Sequence, residues 1–472
     1  MAIGPAERRV YLVIIPLLLA AVGLTFVPAI RHRFQPPFAL RHAAPDLIAV
    51  AAEHVRIAEA TRGATPLWGR IGGSQAERDS AMALAAQLVP YVDEVGIEPY
   101  QLTAHRPTAW TLSAPGGPPL VSAMPAPFDA RFPAEVLPAP IHLIATEADW
   151  ALTKGRWAFV RAVMESAASD TSVRRDRLYQ KAVLNGALGF VFALPTPPGT
   201  WRSVVPVDKP FAMQDIEYPD GVRPIPCFSV DAEDGNRIEA MAREITYLEC
   251  KLDYAPDGPL EAFNTVSRIP GQGKSTVLLA AHLDSFFSGA NDDASGLATL
   301  VGMAHRLGQI PRERRIADFL LVGLSAHHDA GAGMRAFVER SPRRMDTVRQ
   351  FILLEHTDAQ HGAEGAAFNW PDPLNDKRVA YLGNRGFPSI RGALPDLVAA
   401  TGMMGVAPPM LDACIADLYV VCDRLEAFCL IQAPPYYHTD HDTIDKLSEA
   451  GLQNAVEFHM RLLETIGAIA AP

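Results

Sequence analysis

The chain is short of cysteine, of net positive charge and of repetition, and each shortage removes a class of protein. Five cysteines in 472 residues are too few for a disulfide scaffold. Cys227 and Cys250 lie mid-chain, while Cys414, Cys422 and Cys429 cluster late, at spacings that match no CxxC or zinc-knuckle motif. The late cluster is compatible with buried thiols or with one disulfide. Lys and Arg number 42 against 53 Asp and Glu, a formal net charge of −11. Phosphate backbones require a basic surface, so nucleic acid is excluded as the main partner. No Gly-x-Ser-x-Gly elbow and no phosphate-cradling glycine loop occurs. Internal repeats and long low-complexity tracts are lacking too.

What the chain does have is apolar mass. Hydrophobic residues make up 49% and charged residues 20%, which suits a globular protein with a substantial core. A length of 472 residues exceeds what one domain usually uses. Residues 10–30 form one uncharged apolar run. As a helix it would span about 31 Å at 1.5 Å per residue, enough to cross a bilayer core of about 30 Å. Arg8 and Arg9 precede it, and Arg31, His32 and Arg33 follow. The run is longer than a secretory core and has only a poor cleavage site at Val27-Pro28-Ala29. We expect residues 1–33 to be a membrane anchor, or else a signal segment, with the globular part outside the cytoplasm.

Behind a short linker, apolar residues at Leu47, Val50, Ala51, Val55 and Ala58 follow helical spacing over 46–59. Ser74 and Glu77 read as a capping box for a helix over 76–89, and 95–102 reads as a strand. Residues 113–141, rich in Pro, Gly and Ala, carry a boundary signature. Short strands at 141–145, 157–160, 189–193 and 225–229 with helices at 177–185 and 234–243 then suggest a small α/β unit. From 264 onward, apolar strands at 277–281, 316–324 and 350–354 alternate with helices over 294–307 and from 333. Continuous apolar strands between helices indicate a sheet covered on both faces. The expected architecture is therefore α/β: a mixed, mostly parallel sheet with helices on both faces, a smaller α/β insert and an N-terminal membrane helix.

Each of those three strands runs into polar residues. The first meets His282-Leu-Asp284-Ser285 and then Gly289-Ala-Asn-Asp292-Asp293-Ala-Ser295-Gly296. The second meets Ser325-Ala-His327-His328-Asp329, and the third Glu355-His356-Thr357-Asp358. A fourth group, Tyr436-Tyr437-His438-Thr439-Asp440-His441-Asp442-Thr443, lies near the C-terminus. Imidazoles and carboxylates converging from strand ends are the donors zinc accepts. A pair of such ions polarises a carbonyl and activates water. Polar residues at strand ends also serve as caps and turns, so on spacing alone both readings stand. The same holds for His356, Asp358, His441 and the two tyrosines, which fit either the site or the surface.

These segments resemble the M28 family of zinc peptidases, which includes aminopeptidases and glutamate carboxypeptidases. The family pattern is His-x-Asp-Ser, Gly-Ala-x-Asp-Asp-x-Ser-Gly, Glu-Glu, an acidic residue ending a strand, and Tyr-His-Thr-x-x-Asp-Thr. The resemblance implies that His282 and Glu355 hold one zinc ion and His438 and His328 another. Asp292 would bridge the two and Asp284 would orient His282. It implies a peptide or related amide as substrate. Residues 68–74 resemble the family's N-terminal segment, and 116–251 a protease-associated domain. The implied organisation is 1–33 anchor or signal, 40–115 N-terminal helical part, 116–251 insert and 252–472 metallopeptidase domain. The segment Cys422-Asp423-Arg-Leu-Glu-Ala-Phe428 is a weaker likeness to the family's Ser-Asp-His-x-x-Phe.

The departure is at His327-His328, where the family has Glu-Glu. The first Glu is the family's general base, and the second a ligand. Imidazole can replace a ligand, and a neutral imidazole can act as a base near neutral pH. Three readings follow: a hydrolase with His327 as base, a metal-binding or metal-free pseudopeptidase that acts as a binding module, and a different reaction or a single retained ion.

Overall fold

A computed structural model describes residues 43–126, 135–161, 171–201, 203, 224–255, 258–358, 378–383, 386–401, 410–412, 414–432, 434 and 436–470. The apolar run 10–30 lies outside the described residues. Among those described, no helix is long and apolar enough to cross a membrane.

The described chain opens with two helices, α1 (Leu47–Glu59) and α2 (Gln75–Leu88). Asp46 caps α1 by accepting from Ala49 N–H, and Ser74 caps α2 by accepting from Glu77 N–H. The expected capping box at Ser74 is only half made. The Glu77 carboxylate accepts instead from Gly73 N–H at 2.7 Å and from Ala326 N–H. It thus ties α2 to the turn that carries His327.

Next come β1 (Glu94–Leu102), β2 (Pro107–Ser113), β3 (Met124–Pro125), β4 (Glu135–Ile144) and β5 (Trp157–Arg161). Helix α3 (Thr171–Leu184), β6 (Gly189–Ala193), β7 (Cys227–Val230), α4 (Ala232–Arg243) and β8 (Tyr247–Tyr254) follow. The remainder comprises β9 (Leu260–Ile269), β10 (Thr276–His282), α5 (Gly296–Gln309), β11 (Asp318–Leu324), α6 (Ala332–Arg340) and β12 (Val348–Leu353). It closes with β13 (Arg378–Tyr381), β14 (Met410–Leu411), β15 (Glu426–Gln432) and α7 (Glu449–Thr465), besides short helical turns.

The strands form two sheets. The larger has the order β1-β9-β11-β10-β12-β15-β13-β14. Its middle four strands, β11-β10-β12-β15, are parallel, and antiparallel β9 and β13 flank them. Every residue of β10 is buried. Val277, Leu279 and Ala281 face the core under α1, α2, α5 and α7, while Leu278 and Ala280 face the core under α6. Two-sided burial is why this strand is continuously apolar. At about 1.5–3 kcal/mol per buried Leu or Phe, these two cores rather than helix propensity hold the sheet.

The smaller sheet has the order β2-β8-β4-β5-β6-β7-β3, with its own core around Trp157, Phe159, Phe190 and Phe228. The proline-rich stretch 113–141 is not simply a connection. The sheet begins at Pro107, and β4 runs through Pro138 and Pro140. A register shift against β8 between Val136 and Ala139 accommodates prolines there. Of the late cysteines, Cys414 and Cys422 form a disulfide, and Cys429, like Cys227 and Cys250, is a buried thiol.

Candidate metal centre

Parallel strands gather chemistry beyond their C-terminal ends. Here β10 ends on His282 itself. The turn after β11 carries His327 and His328, the segment after β12 carries Glu355 and His356, and the loop after β15 carries His438. All six side chains are buried, as are Asp284, Asp292 and Asp293. His356 and His438 have φ of 49° and 59°. This left-handed backbone is sparsely populated by non-glycine residues and turns each imidazole inward. Gly289, at φ 54°, starts the turn to Asp292, and a Cβ there would lie 2.5 Å from Asp292 O.

The centre is organised around the two oxygens of Asp292. Oδ1 lies 3.0 Å from His282 Nε2 and 3.0 Å from His356 Nε2. Oδ2 lies 3.0 Å from His438 Nε2 and 3.5 Å from His328 Nε2. The far side of three of these rings decides what the near side presents. His282 Nδ1–H donates to Asp284 O at 2.9 Å, His356 Nδ1–H to Gln432 O at 3.1 Å, and His328 Nδ1–H to Asp284 Oδ2 at 2.7 Å. Carbonyl and carboxylate oxygens only accept, so the ring proton sits on Nδ1 and a neutral ring points its Nε2 lone pair inward. Three such lone pairs aim at carboxylate oxygens, and His328 Nε2 also faces His438 Nε2 at 3.0 Å. Lone pairs cannot converge in this way unless cations or protons lie between them.

The surrounding carboxylates hold the frame. Asp284 accepts from His327 N–H at 2.8 Å and His328 N–H at 3.0 Å. Asp293 accepts from His282 N–H and His356 N–H, both at 3.1 Å. Asp442 accepts from Asn291 N–H and Asp292 N–H. Burial opposes charge on His282, but Asp293, Asp284 and Asp292 hold its imidazole well above the ordinary range. Burial likewise opposes charge on His328, and Asp284 and Asp292 outweigh it and lift the ring to about 9. Asp292 stays well below the carboxylate range despite burial, because His438, His328 and His356 surround it. Burial pushes Asp293 and Asp442 up to about 7.

The residues present fit a metal. Three donor sets have ligand atoms within 4.8 Å of one another: His282-Asp292-His356, Asp292-His328-His438 and His282-His327-His328. His282 Nε2, Asp292 Oδ2 and Glu355 Oε2 are buried and make no hydrogen bond among the described residues. Neutral imidazole nitrogen with carboxylate oxygen is a zinc-type donor set.

The sequence-expected residues His282, Asp284, Asp292, His327, His328, Glu355 and His438 are all brought together. Their contacts differ from expectation in two places. Asp284 meets His282 through its main-chain carbonyl, with its carboxylate 3.6 Å away, and the carboxylate instead holds His328. Glu355 does not touch Asp292's cluster as closely as its neighbour does. Its Oε1 stands 3.6 Å from His327 Nε2 and 3.8 Å from His356 Nε2, while His356 contacts Asp292. Asp417, which no motif marks, is buried against His327 Nδ1 at 2.7 Å. Asp423 is exposed and 3.8 Å from Arg424. The smaller sheet's unit also reaches the centre: Ser203 N–H donates to His438 O at 3.0 Å, and Trp201 N–H to Asp440 Oδ1 at 3.2 Å.

Comparison with known proteins gives a consistent picture. Residues 264–376 match the profile of Peptidase family M28. No curated protein matches the chain in sequence. Among solved structures, a peptidase M28 precursor from Shewanella amazonensis is similar at a TM-score of 0.65 and 19% identity, covering 92% of this chain and 98% of that one. A zinc aminopeptidase from Bacillus subtilis is similar at a TM-score of 0.62 and 17% identity, covering 91% and 96%. An aminopeptidase from Aneurinibacillus is similar at 0.56 and 18%, covering 88% and 93%. These likenesses establish a shared fold over nearly the whole length.

Proposed function

We propose, from the match of residues 264–376 to the profile of Peptidase family M28, that the chain is a metal-dependent hydrolase of peptide or related amide bonds, aminopeptidase- or carboxypeptidase-like. The observation that carries this reading is the convergence of Nδ1-protonated imidazoles on the two oxygens of Asp292. His282, His356 and Asp292 Oδ1 would hold one zinc-type ion, and His328, His438 and Asp292 Oδ2 a second. Glu355 is placed to complete the first set. Ions held here would supply polarisation of the scissile carbonyl and activation of water.

The chain's own residues do the rest. Asp284, Asp293 and Asp442 fix the rings and the Asp292 loop through the bonds described above. His327 Nε2 faces Glu355 and serves as the proton acceptor. As the water oxygen's electron pair bonds to the carbonyl carbon, its proton passes to Nε2. When the C–N bond breaks, that electron pair leaves with nitrogen, which takes the proton back from Nε2. The membrane enters through residues 10–30, which would tether the globular part at an extracytoplasmic surface. On this reading the smaller sheet would be the protease-associated-like insert expected over 116–251.

The direct test is a peptidase assay of the zinc-loaded full chain on free and end-blocked peptides. Cleavage that requires zinc and disappears in Asp292→Ala supports the reading. A second reading is favoured by one observation, imidazoles at 327 and 328 where the family pattern has carboxylates. On that reading the chain binds peptides without cutting them. Saturable peptide binding with no cleavage by the zinc-loaded chain would select it.

A further inference from the structure

Asp417 lies in the turn Ala416–Val420, inside the loop closed by Cys414–Cys422, and is fully buried. Its Oδ2 accepts the Nδ1–H of His327 at 2.7 Å, while Oδ1 makes no hydrogen bond among the described residues. Burying a carboxylate is costly unless a partner offsets it. The turn itself draws nothing from this side chain, since no backbone N–H among the described residues donates to it. Its hydrogen bonding is therefore spent on one imidazole, 90 residues away in sequence.

His327 is constrained a second time. Its ring stacks on that of His282 with centroids 4.0 Å apart and planes 5° apart. The stack sets the plane of the ring, and the Asp417 contact sets its rotation in that plane. A lone imidazole offers either nitrogen to a site, and an acceptor at Nδ1 removes the choice. The other nitrogen, Nε2, lies 3.6 Å from Glu355 Oε1.

We propose that Asp417 is the positioning residue of His327, holding the Nδ1–H tautomer so that the Nε2 lone pair faces the centre. This rests on the reading of His327 as proton acceptor. The buried carboxylate–imidazole pair then stands where the family pattern has a single carboxylate. A carboxylate behind an imidazole also stabilises the imidazolium formed after proton transfer, without itself taking the proton. The disulfide around Asp417 holds the turn that carries it close to the strand end.

Two readouts test this on the full chain. The first is the ring-nitrogen tautomer of His327 in ¹⁵N-histidine-labelled protein without metal, assigned by loss of its signals in His327→Gln. Wild type should show a protonated Nδ1, and Asp417→Asn should move the proton to Nε2 or mix the two forms. The second is kinetic, on zinc-loaded protein. Asp417→Asn should lower kcat by about 10²–10⁴-fold, with KM within about threefold of wild type and zinc content unchanged. Introduced beside His327→Glu, the same change should cost less than about threefold, because a carboxylate base needs no tautomer fixed. An unchanged tautomer overturns the proposal. So does an Asp417→Asn variant as fast as wild type, one that loses zinc, or one equally damaged in the His327→Glu background. If the wild-type chain cleaves no peptide, the hydrolase reading fails, while the tautomer still decides for or against Asp417.

Discussion

Replacing Arg70 by Met tests how the first loop of the centre is held. Arg70 is fully buried, and among the described residues it forms no ion pair. Its guanidinium donates to Leu283 O at 2.8 Å, His54 O at 3.0 Å, Ser288 O at 3.2 Å and Gly289 O at 3.2 Å. It therefore spans the loop from β10 to Asp292 and ties it to α1. Burial pulls its pKa down to about 10, against the pull of Asp292, Asp284, Asp293 and Asp442. That displacement corresponds to a net cost of about 3 kcal/mol for keeping the charge, with the carboxylates' attraction already included. Hydrogen bonds from a charged donor contribute about 1.5–3 kcal/mol each, so four of them outweigh the cost even at the low end. Met fills most of the volume but withdraws the guanidinium from all four carbonyls, of which Gly289 O keeps Ala294 N–H. We expect Arg70→Met to lose about 3–5 kcal/mol of stability and about 3–8 °C in Tm, read by thermal and denaturant unfolding. Zinc affinity should fall by about 10-fold or more, since the loop carrying Asp284 and Asp292 loosens. Arg70→Lys, which reaches fewer carbonyls, should fall between. An Arg70→Met protein with wild-type Tm and zinc affinity would refute the reasoning.

Three further expectations follow from the same geometry. His54 donates from Nε2 to Gln87 Oε1 and accepts at Nδ1 from Ser80 Oγ; burial and Arg70's charge push its pKa down to about 3. Below about pH 6.5 the unfolded chain binds a proton that the folded chain refuses, so stability falls as pH drops from about 6.5 toward 3, by about 2 kcal/mol at pH 5. Denaturant melts should show His54→Asn losing about that much less than wild type between pH 7 and 5, and equal losses would contradict it. Because Asp284 and Asp292 keep His328 protonated up to about pH 9, zinc uptake at pH 7 must expel at least one proton and tighten about tenfold per unit of pH for each proton released. Calorimetry in buffers of different ionisation enthalpy reads this number, and no release would contradict a protonated His328. Finally, His356→Ala should weaken zinc binding by more than the about 10–100-fold typical of outer contacts, because its Nε2 meets Asp292 directly; a smaller loss would make Glu355 the operative ligand.

Much of the centre is readable before the fold is known, and the exceptions have physical causes. Val277 to Ala281 are apolar without interruption because both faces of β10 are covered, and this identifies a central parallel strand. His282, Asp292, His328 and His438 sit in short motifs at strand ends, so their convergence can be anticipated. His356 could not be singled out. In an extended strand it would face away from Glu355, but its φ of 49° breaks the alternation and turns both toward the centre. Asp417 has no local signal at all, since its partner is reached only when β12 and β15 pair and bring its turn beside β11's end. Glu77 looked like a capping residue, yet its carboxylate serves Gly73 and Ala326. The proline-rich stretch 113–141 misleads because composition cannot distinguish a linker from a strand with a register shift.

The claim on which the rest depends is that these imidazoles and carboxylates are a metal centre. The most direct measurement is the zinc content of the full chain, purified without chelator, offered zinc and freed of excess. We predict about two ions per chain, falling to none in Asp292→Ala, whose carboxylate serves both sets of rings. A chain that retains no zinc would contradict the account, and so would an Asp292→Ala variant that binds as much as wild type.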